Sequence, residues 1–113
     1  MERLNAYREI LRRVLSGYVE LCNQQSREGI ENLLMIDESQ NNFLWLTVGW
    51  SGNKRMNGIT FYARIHNDKI WIEEDWTEIG IANDLAQQGI AKEDIVLAFY
   101  APDVRPHTDF AAA

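Results

Sequence analysis

Cysteine, proline and long apolar runs are scarce in this chain of 113 residues. Cys22 is the only cysteine, so no disulfide can form within the chain, and we expect a reducing compartment, the cytoplasm. No apolar run approaches the roughly 20 residues needed to span a bilayer, so we expect no membrane association. Both prolines, Pro102 and Pro106, lie in the last part of the chain, which predicts an irregular tail.

Basic residues are also few. Eleven lysines and arginines stand against seventeen acidic residues, for a net charge of -6. A negative protein is repelled by nucleic acid unless its cations gather on one face, because DNA affinity depends largely on neutralising phosphates. The acidic balance instead favours a protein that binds a more basic partner. The apolar fraction of 46% is typical of a globular protein, and the length predicts a single domain over residues 1–113.

The spacing of apolar residues predicts an α+β fold with a long N-terminal helix from Glu2 to Cys22. Steps of three and four place one set of residues on the apolar face of that helix: Leu4, Tyr7, Leu11, Val14, Tyr18 and Leu21. A four-stranded antiparallel meander follows. Its predicted strands are 31–37, 43–50, 59–66 and 69–75, with a loop over 51–58. A second helix with Ile79 on its apolar face, a short fifth strand over 94–100 and the irregular tail complete the chain.

The segment IWIEEDWTEIGIANDL carries a cluster of carboxylates with two interpretations. Asp75 stands three residues before Glu78, the spacing of a capping box, which predicts a helix that begins at Asp75 with Trp76 in its first turn. On the preceding strand, Glu73 and Asp75 are predicted to share a face. Carboxylates that converge can instead hold a divalent cation, as in metal-dependent nucleases. Asp37, on a neighbouring strand, would then join Glu73 and Asp75.

The nuclease interpretation lacks supporting residues. No lysine follows on the Glu73 strand to stabilise a transition state, and neither histidine has a second ligand at metal-binding spacing. We therefore expect no catalytic site, no metal and no cofactor. A DNA-binding alternative would use three arginines of the first helix, Arg8, Arg12 and Arg13.

Tryptophan is abundant, with four in the chain. Trp45 and Trp71 are predicted to serve the core of the sheet, whereas Trp50 beside a glycine loop and Trp76 beside the acids are predicted to be partly exposed. Tryptophan is frequent at interaction hot spots because it contributes a large contact area with little loss of entropy. The residues that we predict to bind a partner are Glu73, Glu74, Trp76, Arg105 and Trp50.

The segment KIWIEEDWTEIGIANDLAQQGIAKEDIVLAF resembles a known family. The residues that carry the resemblance are Lys69-Ile-Trp-Ile72, Asp75, Thr77-Glu78, Gly80-Ile-Ala82, Leu85, Gly89-Ile90 and Asp94-Ile-Val-Leu97 followed by Phe99. They are similar to the central block of the XisI proteins, the fdxN element excision controlling factors of cyanobacteria. Other positions that fit the family are Tyr7, Val48 to Trp50, Pro102, Arg105, Asp109 and Phe110-Ala111, so the resemblance covers nearly the whole chain. Trp76 departs from the family, in which a small or polar turn residue is expected there.

The resemblance implies an XisI-like fold and a part in the site-specific excision of a DNA element during heterocyst differentiation. It implies an XisH-type partner, which itself resembles endonucleases, and an indirect association with DNA through a site-specific recombinase complex. The acidic charge fits a protein that binds the nuclease-like partner, so we expect a non-enzymatic accessory factor.

Two alternatives stay open. One is a metal-dependent nuclease, or a subunit that completes a shared nuclease site. The other is a DNA-binding factor that sets the direction of recombination. A homodimer is a further expectation, because an exposed strand edge or aromatic patch is often covered by a second copy.

Overall fold

The computed structural model describes residues 2–25 and 29–113. In chain order, its main elements are α1 (Glu2–Gln25), β1 (Ile30–Ile36), β2 (Asn42–Ser51), β3 (Lys54–His66), β4 (Lys69–Asp75), α2 (Ile81–Gln87) and β5 (Ile95–Leu97). Short 3-10 helices span Lys92–Asp94 and Arg105–His107. The predicted α+β order of elements is confirmed. None of the described helices is long and apolar enough to cross a membrane.

The first helix presents one apolar face to the sheet. The residues fully or almost fully buried on it are Tyr7, Leu11, Val14, Leu15 and Val19. Leu21 keeps 47% of its surface exposed, so the prediction that it belongs to the buried face is wrong. It lies at the margin of the apolar stripe, where α1 and the short α2 leave an open groove that Tyr18 and Asp84 also line.

The five strands form one mixed sheet in the order β1-β2-β3-β4-β5. The first four are antiparallel neighbours, so the predicted meander is confirmed. β5 pairs with β4 in parallel, beginning with Ile70 opposite Ile95. On the far side of β5, Val96 forms an isolated bridge with Ala111 of the tail. Because the pair is parallel, both of its strands end at the same edge of the sheet.

The β2–β3 hairpin is longer than the sequence predicts. The predicted loop over 51–58 is wrong, because Ser51 pairs with Lys54 and only Gly52 and Asn53 join the two strands. Gly52 has a φ of +63°, which glycine adopts at little cost, and Gly-Asn between two strands is a known hairpin signal. The hairpin therefore extends past the end of β4 as an arm that carries Trp50.

The two faces of the sheet differ in what covers them. The inner face, which packs against both helices, carries Phe43, Trp45, Phe61, Ala63, Ile70 and Ile72, all buried. Together with the buried faces of α1 and α2 they form one apolar cluster. Side chains alternate along a strand, so neighbouring residues such as Leu44 and Tyr62 lie on the opposite, outer face. Both described α-helices lie on the inner side.

The two buried polar residues among those that the structure describes, Asn32 and Asp94, have partners in the core. Asn32 Oδ1 accepts hydrogen bonds from Trp45 Nε1 at 3.0 Å and from Thr47 Oγ1 at 2.8 Å. Tyr7 donates from its hydroxyl to Asp94 at 2.6 Å, and burial, together with this hydrogen bond, raises the pKa of Tyr7. Trp45 is thus a core residue, as predicted.

Trp71, unlike Trp45, lies outside the core. It stands opposite Arg64 on the outer face of the sheet and lies outside the apolar cluster. The predicted core role of Trp71 is therefore wrong.

Candidate functional site

Two loops leave the same edge of the sheet, because β4 and β5 are parallel. One loop follows β4 over residues 76–80, and the other follows β5 over 98–104. They carry most of the large apolar side chains that the structure leaves exposed: Trp76, Ile79, Phe99, Tyr100 and Val104. Trp76 has 74% of its surface accessible, more than the other four. Contiguous exposed apolar patches mark interaction sites.

Glu74, Trp76, Phe99 and Tyr100 form one surface, which we call the aromatic edge. The indole of Trp76 donates from Nε1 to Oε1 of Glu74 at 3.0 Å. Phe99 lines a cavity of about 290 Å³ together with Trp76, Glu74 and Asp75. The rings of Phe99 and Tyr100 are tilted against each other, with centroids 4.8 Å apart. The aromatic edge therefore combines exposed rings with a carboxylate.

A β-bulge in β4 sets which way the acidic residues point. Phe61 pairs with Asp75 and Ala63 pairs with Ile72, so β4 has one residue more than β3 over this stretch, and Glu73 is the extra residue. The bulge changes the alternation of side chains. Asp75 consequently lies on the inner face with Phe61, while Glu73 lies on the outer face. The prediction that Glu73 and Asp75 share a face is wrong.

Asp75 fixes the loop that carries Trp76. Its Oδ1 accepts hydrogen bonds from the backbone N–H of Thr77 at 2.9 Å and from Thr77 Oγ1 at 2.5 Å. Its Oδ2 accepts from the backbone N–H of Ile81 at 2.8 Å. One carboxylate thus contacts both ends of the loop, and Trp76 lies between Asp75 itself and the bonded Thr77.

These contacts show that the predicted capping box does not form. Helix α2 begins at Ile81 after Gly80, and not directly after Asp75. Gly80 has a φ of +71°, which interrupts helical backbone. Glu78 is exposed ahead of the helix, and Trp76 lies in the loop. The predicted pairing of Asp75 with Glu78, and the place of Trp76 in a first helical turn, are therefore wrong.

Arg105 stabilises the loop after β5. Its Nε donates to the carbonyl oxygen of Tyr100 at 3.0 Å, and its Nη2 donates to that of Ala98 at 3.1 Å. Its guanidinium also lies 5.6 Å from the centre of the Trp71 ring. Arg105 is thus engaged with its own chain, where it positions Phe99 and Tyr100 of the aromatic edge.

Two other residues predicted to bind a partner lie apart from the aromatic edge. Glu73 forms an ion pair with Arg64 on the outer face, with Arg64 Nε 2.8 Å from Glu73 Oε2. Partly exposed pairs of this kind contribute about 0–1 kcal/mol to stability. Trp50 lies on the β2–β3 arm, with the Arg55 guanidinium 5.6 Å from its ring centre. The pairing register places Trp50 roughly 17 Å along β2 beyond the level at which β4 ends.

The three carboxylates of the nuclease alternative do not converge. Asp37 lies in the β1–β2 turn, where Ser39 and Asn42 donate to it. Those hydrogen bonds hold the pKa of Asp37 well below its usual range. Asp75 faces the inner side of the sheet and Glu73 the outer side. In the part of the chain that the structure describes, no group of three or more His, Cys, Asp or Glu side chains is arranged to hold a metal ion.

The arginines of the DNA-binding alternative have partners within the chain. Arg8 donates from Nη2 to Asn41 Oδ1 at 2.9 Å. Arg12 forms an ion pair with Glu9 one turn away on α1. Arg13 donates to a glutamine side chain just beyond α2 at 3.1 Å. These contacts do not favour α1 as a phosphate-binding helix.

The sequence interpretation missed three residues of this region. Phe99 and Tyr100 are predicted as the end of a fifth strand over 94–100, but β5 ends before them. Ile79 is predicted on the apolar face of α2, yet it lies in the loop with 63% of its surface exposed. The available signal for Phe99 and Tyr100 was Pro102, because a proline cannot donate a hydrogen bond to a strand ladder and marks a turn.

A family model described as XisI protein matches residues 1–112 of the chain. The chain belongs to the XisI family. This confirms the resemblance inferred from the block around β4 and α2. The aromatic edge thus belongs to an XisI fold.

Two crystal structures of XisI proteins are similar to this chain over nearly its full length. The XisI-like protein from Anabaena variabilis ATCC 29413 is 32% identical, with a TM-score of 0.85, over 95% of this chain and 96% of that one. The fdxN element excision controlling factor XisI from the same organism is 39% identical, with a TM-score of 0.83, over 98% of this chain and 99% of that one. No curated protein matches the chain.

Proposed function

We propose that this XisI protein is a non-enzymatic accessory factor in the control of fdxN element excision, and that it acts by binding an XisH-type partner. The 39% identical relative, an fdxN element excision controlling factor, supports the first part. The aromatic edge supports the second, because its chemistry is that of a contact surface. The process is the DNA rearrangement of heterocyst differentiation. The factor acts in the cytoplasm and reaches DNA only indirectly, through the recombinase complex.

The observation that carries the proposal is the state of Trp76. Its ring is 74% exposed, yet its Nε1 is bonded to Glu74 and its backbone N–H donates to the Thr60 carbonyl at 2.9 Å. A ring that is already held in one place loses little conformational freedom when a partner covers it. Because Nε1 already has an acceptor, covering the ring leaves no unpaired donor. Truncation of such a tryptophan typically costs an interface about 2 kcal/mol or more.

The charge around Trp76 indicates the chemistry of the partner. Glu74 accepts from the indole, and the partly exposed Asp75 and the exposed Glu78 follow on the same stretch of chain. The whole chain carries a net charge of -6. A complementary surface has an apolar recess for the rings of Trp76 and Phe99, with lysine or arginine at its rim.

Co-expression with an XisH-type protein tests the proposal. The wild-type chain is expected to co-purify with that protein as one species in size exclusion with light scattering. Trp76→Ala and Glu74→Lys are each expected to lose the complex while they keep the wild-type circular dichroism spectrum. Glu20→Lys is the matched charge control, because Glu20 lies exposed on α1, away from the aromatic edge.

Two results would refute the proposal. One is a wild-type chain that stays alone with every XisH-type protein tried. The other is a complex that survives both changes at the aromatic edge as well as it survives Glu20→Lys.

A further inference from the structure

The outer face of the sheet carries an apolar surface that neither described helix covers. Side chains alternate along β2, which places Leu44, Leu46, Val48 and Trp50 on this face. The neighbours of Leu44 and Leu46 on β1 and β3 are also apolar: Leu33, Met35, Ile59 and Tyr62. Val48 instead stands between Glu31 and Asn57, and Trp50 stands opposite Arg55. We call the eight apolar residues the outer strip. All are at least partly exposed, with Met35 at 48% and Trp50 at 54%.

The size of the outer strip indicates an interface. Three strands at about 4.8 Å spacing and the length from Leu44 to Trp50 give a flat area of roughly 300 Å². The part beside Val48 and Trp50 is apolar on β2 alone. Exposed apolar patches of about 300–600 Å² are often functional. A stable interface covers about 800 Å² on each partner, so whatever binds the strip must also contact its two ends.

The two ends of the outer strip carry opposite charge. Asp37 and Glu38 lie exposed in the β1–β2 turn, where β2 begins. Lys54 and Arg55 lie exposed at the start of β3, beside the end of β2. The strip therefore runs from an acidic turn to a basic one, with the exposed Glu31 of β1 beside Val48. A surface with this polarity complements a second copy of itself turned end for end.

We propose that a second copy of this chain packs head to tail on the outer strip, about a two-fold axis that crosses the middle of β2. The midpoint between Leu44 and Trp50 lies at Thr47, so an axis there places the Trp50 of each copy over the Leu44 region of the other. The same rotation places the basic end of each copy on the acidic end of its partner. Such an interface is isologous and closes as a dimer.

A shape match supports this arrangement. Met35, Leu44, Ile59 and Tyr62 line a cavity of about 540 Å³ on the outer face. Trp50 projects from the same face six residues along β2, and its ring is the largest exposed side chain of the strip. Two sheets that pack face to face interdigitate their side chains across about 10 Å. Insertion of each Trp50 into the cavity of the other copy fills both cavities.

The interface borders the partner contact proposed above, because Tyr62 of the outer strip pairs with Glu74 of the aromatic edge. The rings of the aromatic edge lie on the loops that follow β4 and β5. A dimer formed through the strip therefore places each aromatic edge at the margin of the interface. Each dimer then offers two such edges to the partner.

Sedimentation velocity over a range of protein concentrations tests the dimer. The wild-type chain is expected to be dimeric at micromolar concentrations, and Leu44→Glu is expected to be monomeric because it buries a charge in the apolar interface. Leu21→Glu is the control, since Leu21 is an exposed leucine on α1, outside the strip. A wild-type chain that is monomeric throughout, or equal behaviour of the two glutamate variants, overturns the proposal.

Charge reversal tests the head-to-tail arrangement. Arg55→Glu and Glu38→Lys each place two like-charged pairs in the dimer, so each variant alone is expected to self-associate at least about tenfold more weakly. An equimolar mixture of the two variants has two attractive pairs in the mixed dimer and is expected to recover wild-type association. The double variant is expected to recover it as well. Two weakened variants that do not rescue each other overturn this geometry.

Discussion

Replacing Asp75 with alanine removes the acceptor that holds both ends of the loop carrying Trp76. Three donors lose their partner: the N–H and the hydroxyl of Thr77, and the N–H of Ile81 at the start of α2. The Ile81 bond replaces an N-cap, because Gly80 offers no side chain to accept it. We therefore expect Asp75→Ala to destabilise the fold and to disorder the loop over 76–80.

The size of this effect follows from the three lost hydrogen bonds. A hydrogen bond to a charged group contributes about 1.5–3 kcal/mol, and the three together set an upper bound of about 9 kcal/mol. Asp75 is only partly buried, so water replaces it at some of the donors and lowers the cost. We expect a loss of about 2–4 kcal/mol, comparable with a large capping effect plus one buried bond. In a chain of this length that corresponds to a melting temperature lower by roughly 10 °C.

Urea unfolding followed by tryptophan fluorescence and circular dichroism measures the difference. Glu78→Ala is the matched control, because Glu78 is the exposed member of the predicted capping box, and we expect a change within about 0.5 kcal/mol. Asp75→Asn keeps one acceptor oxygen and is expected to lie between the two. Equal stability of Asp75→Ala and Glu78→Ala would refute the role of Asp75 in closing the loop.

Three further predictions concern the core and the alternative functions. Gly49→Ala is expected to lower the free energy of unfolding in urea by at least about 3 kcal/mol, because a Cβ there would lie 1.9 Å from the Gly29 carbonyl oxygen. Gly58→Ala is the control and is expected to be tolerated, because a Cβ there has nothing within 4 Å. Burial, then a hydrogen bond to Asp84, raises the pKa of Tyr18 from 10.0 to about 12. The unfolded chain therefore loses this proton first, and stability is expected to fall as pH rises through that window, with a smaller fall in Tyr18→Phe. Calorimetric titration with Mg²⁺ or Mn²⁺ is expected to show no saturable binding, and binding that Asp75→Asn abolishes would revive the nuclease alternative.

The regular elements follow from local patterns, and the sequence predicts them well. Helical spacing around Leu11 and the run of aromatic and β-branched residues from Phe43 to Trp50 are each set by neighbours in the chain, so α1 and the meander could be predicted. The extra residue at Glu73 could not, because a bulge depends on how β3 and β4 pair. That one residue decides the face on which Asp75 lies, and hence where α2 begins.

The candidate site could be predicted only in part. Trp76 stands out in the sequence as a large ring beside carboxylates, and the structure confirms its exposure. Phe99 and Tyr100 lie more than twenty residues away in sequence and join Trp76 only because β5 pairs in parallel with β4. Pairing between distant strands cannot be inferred from neighbouring residues. The local sequence alone therefore predicts a strand that includes both rings.

The affinity of the purified chain for its XisH-type partner tests the central claim most directly. Isothermal titration calorimetry compares the wild type with Trp76→Ala, and with Glu20→Lys as a control on α1, at a distance from the aromatic edge. We expect Trp76→Ala to raise the dissociation constant by about 30-fold or more, which corresponds to about 2 kcal/mol, and Glu20→Lys to change it by less than about threefold. Equal affinities for the wild type and Trp76→Ala would contradict the assignment of the aromatic edge as the partner surface.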